Sequence, residues 1–248
     1  MENLEGGDTD QAEMASSDKN SETSRLVGSN TGPKPSYMNI ASNICAIIFL
    51  GLITYSCFKN GVTLFSFHPI LMTLGWMVLM TSAINAVTPG DLATEWMPIR
   101  LRSARHWVLQ LVGGSLILIG FIVILTNKLI NDASHFVTLH AKFGLSSLIF
   151  MALTMCGGIG ALYSLKLKYY LAPLYTKLIH ASAGLLTFIL GIITILLGLF
   201  SKWWDKSELG DILRYVSFTM VLLVMVLTIL RPSLKIYFRL KERLENAN

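Results

Sequence analysis

Six stretches of nearly uninterrupted apolar residues, near 39–58, 67–87, 105–126, 136–162, 176–200 and 212–230, leave this chain few ways to fold. Each reaches the ~20 residues that an α-helix, rising about 1.5 Å per residue, needs to cross a bilayer's hydrocarbon core. Inside lipid every backbone N–H and C=O must find its partner within the segment, so runs of this length and character become helices. The chain is 53% hydrophobic and only 14% charged, too apolar for an ordinary water-soluble core. The expected fold is an all-α membrane protein with six transmembrane helices, in which helices 2 to 5 form a four-helix core flanked by helices 1 and 6.

The net charge of +5 does not mark a nucleic-acid binder, because its distribution follows membrane sidedness. Arg100, Arg102 and Arg105 precede the third run, Lys166, Lys168 and Lys177 precede the fifth, and Arg231, Lys235, Arg239, Lys241 and Arg243 follow the sixth. They outnumber Lys59, Lys128, Lys142, Lys202, Lys206 and Arg214 on the other side, which places both termini in the cytosol by the positive-inside rule. Residues 1–37 are rich in Ser, Asn, Gly, Asp and Glu and have too little apolar content to offset the entropy of ordering, so a disordered cytosolic tail is expected. Within it, Glu22-Thr23-Ser24-Arg25-Leu26-Val27 approaches an acidic dileucine sorting signal. The acidic amino terminus lacks an apolar core, and no signal peptide is expected. Residues 38–231 then form the six-helix domain and 232–248 a basic, helical cytosolic tail. Cys45, Cys57 and Cys156 have neither disulfide-framework nor metal-ligand spacing and read as buried packing residues.

Four histidines, His68, His106, His140 and His180, stand near the starts of the second to fifth runs, one helix plus one loop apart. Consecutive spans run in opposite directions, so His68 and His140 share one membrane face and His106 and His180 the other. Polar nitrogens are expensive to place in lipid without a partner, which makes each a functional candidate. Each face offers two imidazoles with no carboxylate or thiolate nearby, whereas a structural zinc site wants four ligands. Two axial imidazoles suit a six-coordinate haem, whose porphyrin supplies the remaining nitrogens and whose work is one-electron transfer. Two irons set about a turn inside a ~30 Å layer lie on the order of 20 Å apart. Gly144 and Gly184, one turn deeper than His140 and His180, leave room beside the imidazole for a macrocycle edge, or form a small-residue packing seam.

Several segments resemble the cytochrome b561 family, in its short, domain-containing branch of transmembrane reductases. They are Phe65-Ser66-Phe67-His68-Pro69-Ile70-Leu71-Met72, His106-Trp107-Val108-Leu109-Gln110-Leu111, Val137-Thr138-Leu139-His140, Gly157-Gly158-Ile159-Gly160 and His180-Ala181-Ser182-Ala183-Gly184. The resemblance implies two b-type haems, one on His68 and His140 at the non-cytosolic side and one on His106 and His180 at the cytosolic side. It also implies that cytosolic ascorbate donates electrons and that monodehydroascorbate or a ferric chelate accepts them across the membrane. Endoplasmic reticulum or vesicle membranes are the implied location, and a homodimer is compatible with it. The chain departs from the better-known ascorbate-using branches at Asn85-Ala86-Val87-Thr88-Pro89-Gly90, where those carry a basic-aromatic motif. It departs again at Thr138-Leu139-His140-Ala141-Lys142.

Candidate substrate contacts follow from charge and spacing. Arg102 lies four residues before His106 and Lys177 three before His180, one turn nearer the cytosol on the ligand's own face, where they could hold haem propionates or the ascorbate anion. Arg105 is a further candidate on that side. Lys142 and His135 are candidates on the other side, the first for an anionic acceptor or a propionate, the second for an acceptor or a metal ion. Two other readings fit the residues: a quinol-linked dihaem cytochrome, and a histidine-lined ion or proton transporter or membrane scaffold.

Overall fold

The computed structural model describes residues 36–59, 61–206 and 209–245. The sorting-like segment and nearly all of the amino-terminal tail lie outside the described residues. Six helices are long and apolar enough to cross a membrane: α1 (Tyr37–Phe58), α2 (Leu64–Ala86), α3 (Ile99–Ile130), α4 (Leu139–Leu162), α5 (Pro173–Leu199) and, after a short α6 (Lys202–Lys206), α7 (Gly210–Glu245). An even number of spans leaves Tyr37 and Glu245 at one end of the bundle, here the termini end; the other is the distal end.

Helix starts are set by capping chemistry. The Ser36 hydroxyl accepts from the Asn39 N–H, Thr63 and Ser66 form a reciprocal capping box, and Pro173 opens α5 at a position where its missing N–H costs nothing. α2 begins at Leu64, so Pro69 lies in its second turn and removes the bond that residue 69 would donate to the Phe65 carbonyl. The cap of α4 is Thr138, whose hydroxyl accepts from Ala141 N–H at 3.2 Å. Asp132 and Phe136 take positive φ angles of 46° and 52° in the loop before it. α3 starts at Ile99, ahead of the apolar run expected from 105, which places Arg100, Arg102 and Arg105 within its first turns.

α2 packs along α3 and α4 along α5, while α1 and α7 pack on each other, α1 also against α2 and α7 also against α5. Helices 1 and 6 of the sequence therefore flank the histidine-bearing four, as expected. Phe49, Ile53, Trp76, Met77, Ile117, Phe188, Ile192, Val221 and Val224 form the buried cluster that joins these layers. Hydrogen bonds add to the α1–α2 seam: Asn85 Nδ2 donates to Ser42 Oγ at 3.1 Å and Ser82 Oγ to Asn43 Oδ1 at 3.2 Å. Such bonds hold helices together where lipid offers no competing water.

The α2–α3 and α4–α5 pairs approach each other at mid-helix. A Cβ added to Gly114 of α3 would sit 3.2 Å from the Met155 sulfur of α4, and one added to Gly191 of α5 would collide with the Trp76 indole of α2. Trp76 belongs to a π-helical stretch, Leu74–Leu79, that interrupts α2. The core is thus narrow at its middle, and the histidines lie toward its two ends.

Candidate cofactor site: two facing pairs of histidines

At the distal end, His68 of α2 faces His140 of α4, with ring centres 6.2 Å apart and planes at 90°. At the termini end, His106 of α3 faces His180 of α5, with centres 6.3 Å apart and planes at 87°. The pairing is the one that alternating helix direction predicts.

Backbone carbonyls fix the rings. His68 Nδ1 donates to the Gly120 carbonyl at 2.9 Å, His140 Nδ1 to that of Thr194 at 2.8 Å, and His106 Nδ1 to that of Ala83 at 2.8 Å. A proton held on Nδ1 leaves Nε2 as a lone pair, the ligating form, and the carbonyl raises its basicity. His180 differs, since its buried Nδ1 closes no well-formed hydrogen bond, the Thr154 carbonyl being the neighbouring acceptor.

The spacing can be tested against an ion between the rings. Imidazole nitrogen binds a transition metal at about 2.0 Å and lies about 1.1 Å from its ring centre, so two rings on opposite sides of one ion have centres ~6.2 Å apart. Both pairs have that separation. Among the described residues no three His, Cys, Asp or Glu side chains gather to complete a protein-only coordination shell. A group that brings its own further donors, as a porphyrin brings four nitrogens, suits such a two-imidazole site. His68 and the Ala83 carbonyl are fifteen residues apart along α2, which separates the pairs by about 20 Å.

The glycines divide in an unexpected way. Gly144 and Gly184 do not border the imidazoles: a Cβ there would meet the methyl of Thr194 at 3.3 Å and of Thr154 at 3.7 Å, so both belong to the α4–α5 seam. The residues beside the rings are Gly158, 3.1 Å from His180 Cε1 to a built Cβ, and Gly198, 3.3 Å from His140 Cε1. Position four residues along one helix is a poor guide here, because the ring leans toward the neighbouring helix. Each of these glycines lies across that interface from its histidine. Cys156 also departs from expectation: it is exposed, whereas Cys57 is buried and Cys45 half-buried.

The sequence profile of eukaryotic cytochrome b561 matches residues 67–205, which contain all four histidines. The chain belongs to this family. Transmembrane reductase CYB561D2 of Mus musculus is 35% identical over 153 residues, covering 61% of this chain and 68% of the mouse protein. The Homo sapiens protein of the same name is 36% identical over 153 residues, with 61% and 68% coverage, and that of Bos taurus 34% over 155 residues, with 62% and 69%. Cytochromes b561 are b-type haem proteins, and the donor set and ring spacing of this one fit such a group.

The other candidate residues of this cytochrome b561 are placed unequally. Arg102 is half-buried and fully engaged: it pairs with Glu95 at 2.9 Å, donates to the Glu95 carbonyl at 2.6 Å and, through Nε, to that of Met97 at 3.0 Å. Glu95 in turn accepts from the Gly90 N–H at 2.7 Å, so Arg102 clasps the α2–α3 loop. Lys177 is exposed and lines a cleft of ≈ 490 Å³ with Pro173, Leu174, Arg239, Glu242 and Arg243. The two arginines come from the helical tail, and no spacing in the sequence links them to Lys177. Arg105 is exposed near His106 in α3, and Lys142 is exposed in the first turn of α4. The half-buried His135 lies against Phe136, ring centres 6.1 Å apart.

Proposed function

We propose that this chain is a transmembrane reductase that carries electrons through two b-type haems from cytosolic ascorbate to monodehydroascorbate or a ferric chelate on the opposite side. The observation that supports it is the pair of facing imidazole couples at 6.2 and 6.3 Å, one toward each end of the bundle. His68 and His140 would hold the distal group by Nε2, and His106 and His180 the group at the termini end. Bound there, a haem would supply a reversible one-electron couple.

The chain's residues do the rest. The carbonyls of Gly120, Ala83 and Thr194 keep the Nδ1 protons in place, so that Nε2 stays a lone-pair donor whichever way the electron moves. The packed waist excludes water between the ends. Lys177, Arg239 and Arg243, with Arg105, give the termini end a positive field that draws the ascorbate anion. Lys142 and His135 serve the acceptor at the distal end. Both termini are cytosolic, in an endoplasmic reticulum or vesicle membrane. A reduced-minus-oxidised spectrum with haem quantitation tests the reading: two low-spin centres per chain, reducible by ascorbate added at the termini side of sealed vesicles, are expected. One centre or none, or reduction only from the distal side, overturns it.

A further inference from the structure

Two sequence exceptions converge on one side chain. α2 is α-helical except over Leu74–Leu79, where it widens to a π-helix around Trp76, and α5 lacks a side chain at Gly191, where a Cβ would overlap Cδ2, Cε3 and Cζ3 of the same indole. π-helical turns are rare and re-aim side chains, often at functional positions. Trp76 is 3% exposed, eight residues after His68 and seven before the Ala83 carbonyl that holds His106, which places it at the midpoint between the two pairs. It is the largest π-system there. Trp203 and Trp204 lie toward the distal end of the bundle, and Trp96 and Trp107 are exposed.

We propose that Trp76 is a positioning residue for electron transfer, its indole filling the gap between the two haem sites and providing the dense, polarizable path across the membrane's midplane. This rests on the dihaem reading above. One electron leaves the centre at His106 and His180, and the same electron arrives at the centre at His68 and His140. The indole is neither oxidised nor reduced on the way, exchanges no proton, and forms and breaks no bond. Close packing matters because tunnelling falls off faster across a void than through bonded or contacting atoms, and protein interiors leave few voids when each site is filled. Gly191 is the complementary feature, since its missing side chain lets the ring lie against the α5 backbone.

The test uses purified, haem-loaded W76L, W76F and G191A. Haem content, the midpoint potentials and electron paramagnetic resonance signals of both centres, and the near-ultraviolet circular dichroism of the tryptophans are measured beside the rate at which the distal centre is reduced after rapid reduction at the termini end. W76L is expected to keep both centres at wild-type potentials while transfer between them slows severalfold, with W76F between W76L and wild type. G191A is expected to slow transfer with an altered tryptophan dichroism, because the added methyl displaces the ring. Wild-type transfer in W76L with both centres intact overturns the proposal, as does a slowing fully accounted for by a shifted potential. If W76L does not load haem, W76F and G191A decide it, and wild-type rates in both overturn it. Wild-type protein with fewer than two centres is a separate outcome, which removes the dihaem reading itself.

Discussion

The two ends of the bundle place the same pair of side chains at nearly the same separation and hold them differently. At the distal end both imidazoles are tied by Nδ1 to carbonyls of neighbouring helices, and Phe65 lies 6.2 Å from His68 and 6.1 Å from Trp203. At the termini end only His106 is tied, His180 Nδ1 is left without a well-formed bond, and the surroundings are a charged loop and a basic cleft. A donor pair fixes which group is held. Its tethers and rim fix how it is oriented and what can approach. The distal end has both rings tied, and the termini end has one ring tied and a basic cleft beside it.

The largest expected effects break the pairing. His68→Ala or His140→Ala should remove the distal centre and leave the other spectroscopically recognisable, and His106→Ala or His180→Ala should do the reverse. Low-temperature difference spectra would decide this. If His68 and His106 variants lost the same centre, the assignment of ends would be wrong.

Next comes the loop clasp. Glu95→Gln weakens two charge-assisted contacts, to Arg102 and to Gly90 N–H, each half-buried, and should lower stability by about 1–3 kcal/mol. Thermal unfolding in detergent would measure it. The comparison is sharpened if bleaching of the termini-end centre begins at lower temperature while that of the distal centre does not move.

Smaller effects separate the two glycines beside the rings. Gly158→Ala puts a methyl 3.1 Å from His180 Cε1, and Gly198→Ala puts one 3.3 Å from His140 Cε1. His180, whose Nδ1 closes no well-formed bond to the Thr154 carbonyl, is the less firmly held ring, so Gly158→Ala should shift the resonance g-values of its centre. His140, held by Thr194, should keep its orientation, and Gly198→Ala should appear instead as a modest loss of thermal stability. Equal g-shifts at both ends would erase the contrast in tethering.

The smallest effect concerns the rim. Lys177→Gln combined with Arg105→Gln should raise the KM for ascorbate severalfold, less so in high salt, because exposed cations act through a screened field. Reduction by dithionite should be unchanged. An unaltered KM at low ionic strength would reduce these cations to markers of topology.

Much of the architecture could be read one residue at a time. Hydrophobic run length counts the spans, because a bilayer imposes a minimum on each. Alternating helix direction pairs His68 with His140 and His106 with His180, since position along the chain converts directly into depth. Family-specific segments lie around the same histidines, so cofactor class was legible too.

What depended on azimuth and on distant partners was not. In lipid a core-facing and a lipid-facing position are both apolar, so periodicity could not show that Cys156 is exposed or that Gly144 and Gly184 face the α4–α5 seam. The Arg102 clasp needs a loop carboxylate folded back seven residues, and the basic cleft needs Arg239 and Arg243 brought beside Lys177 by α7 packing against α5. Trp76 reads as one apolar residue among many until Gly191 is seen against it. The sequence by itself determined depth, direction and ligand type, which are properties of a single helix in a bilayer. Only the tertiary structure decided which faces meet, because rotation of each helix about its axis is set by packing against its neighbours.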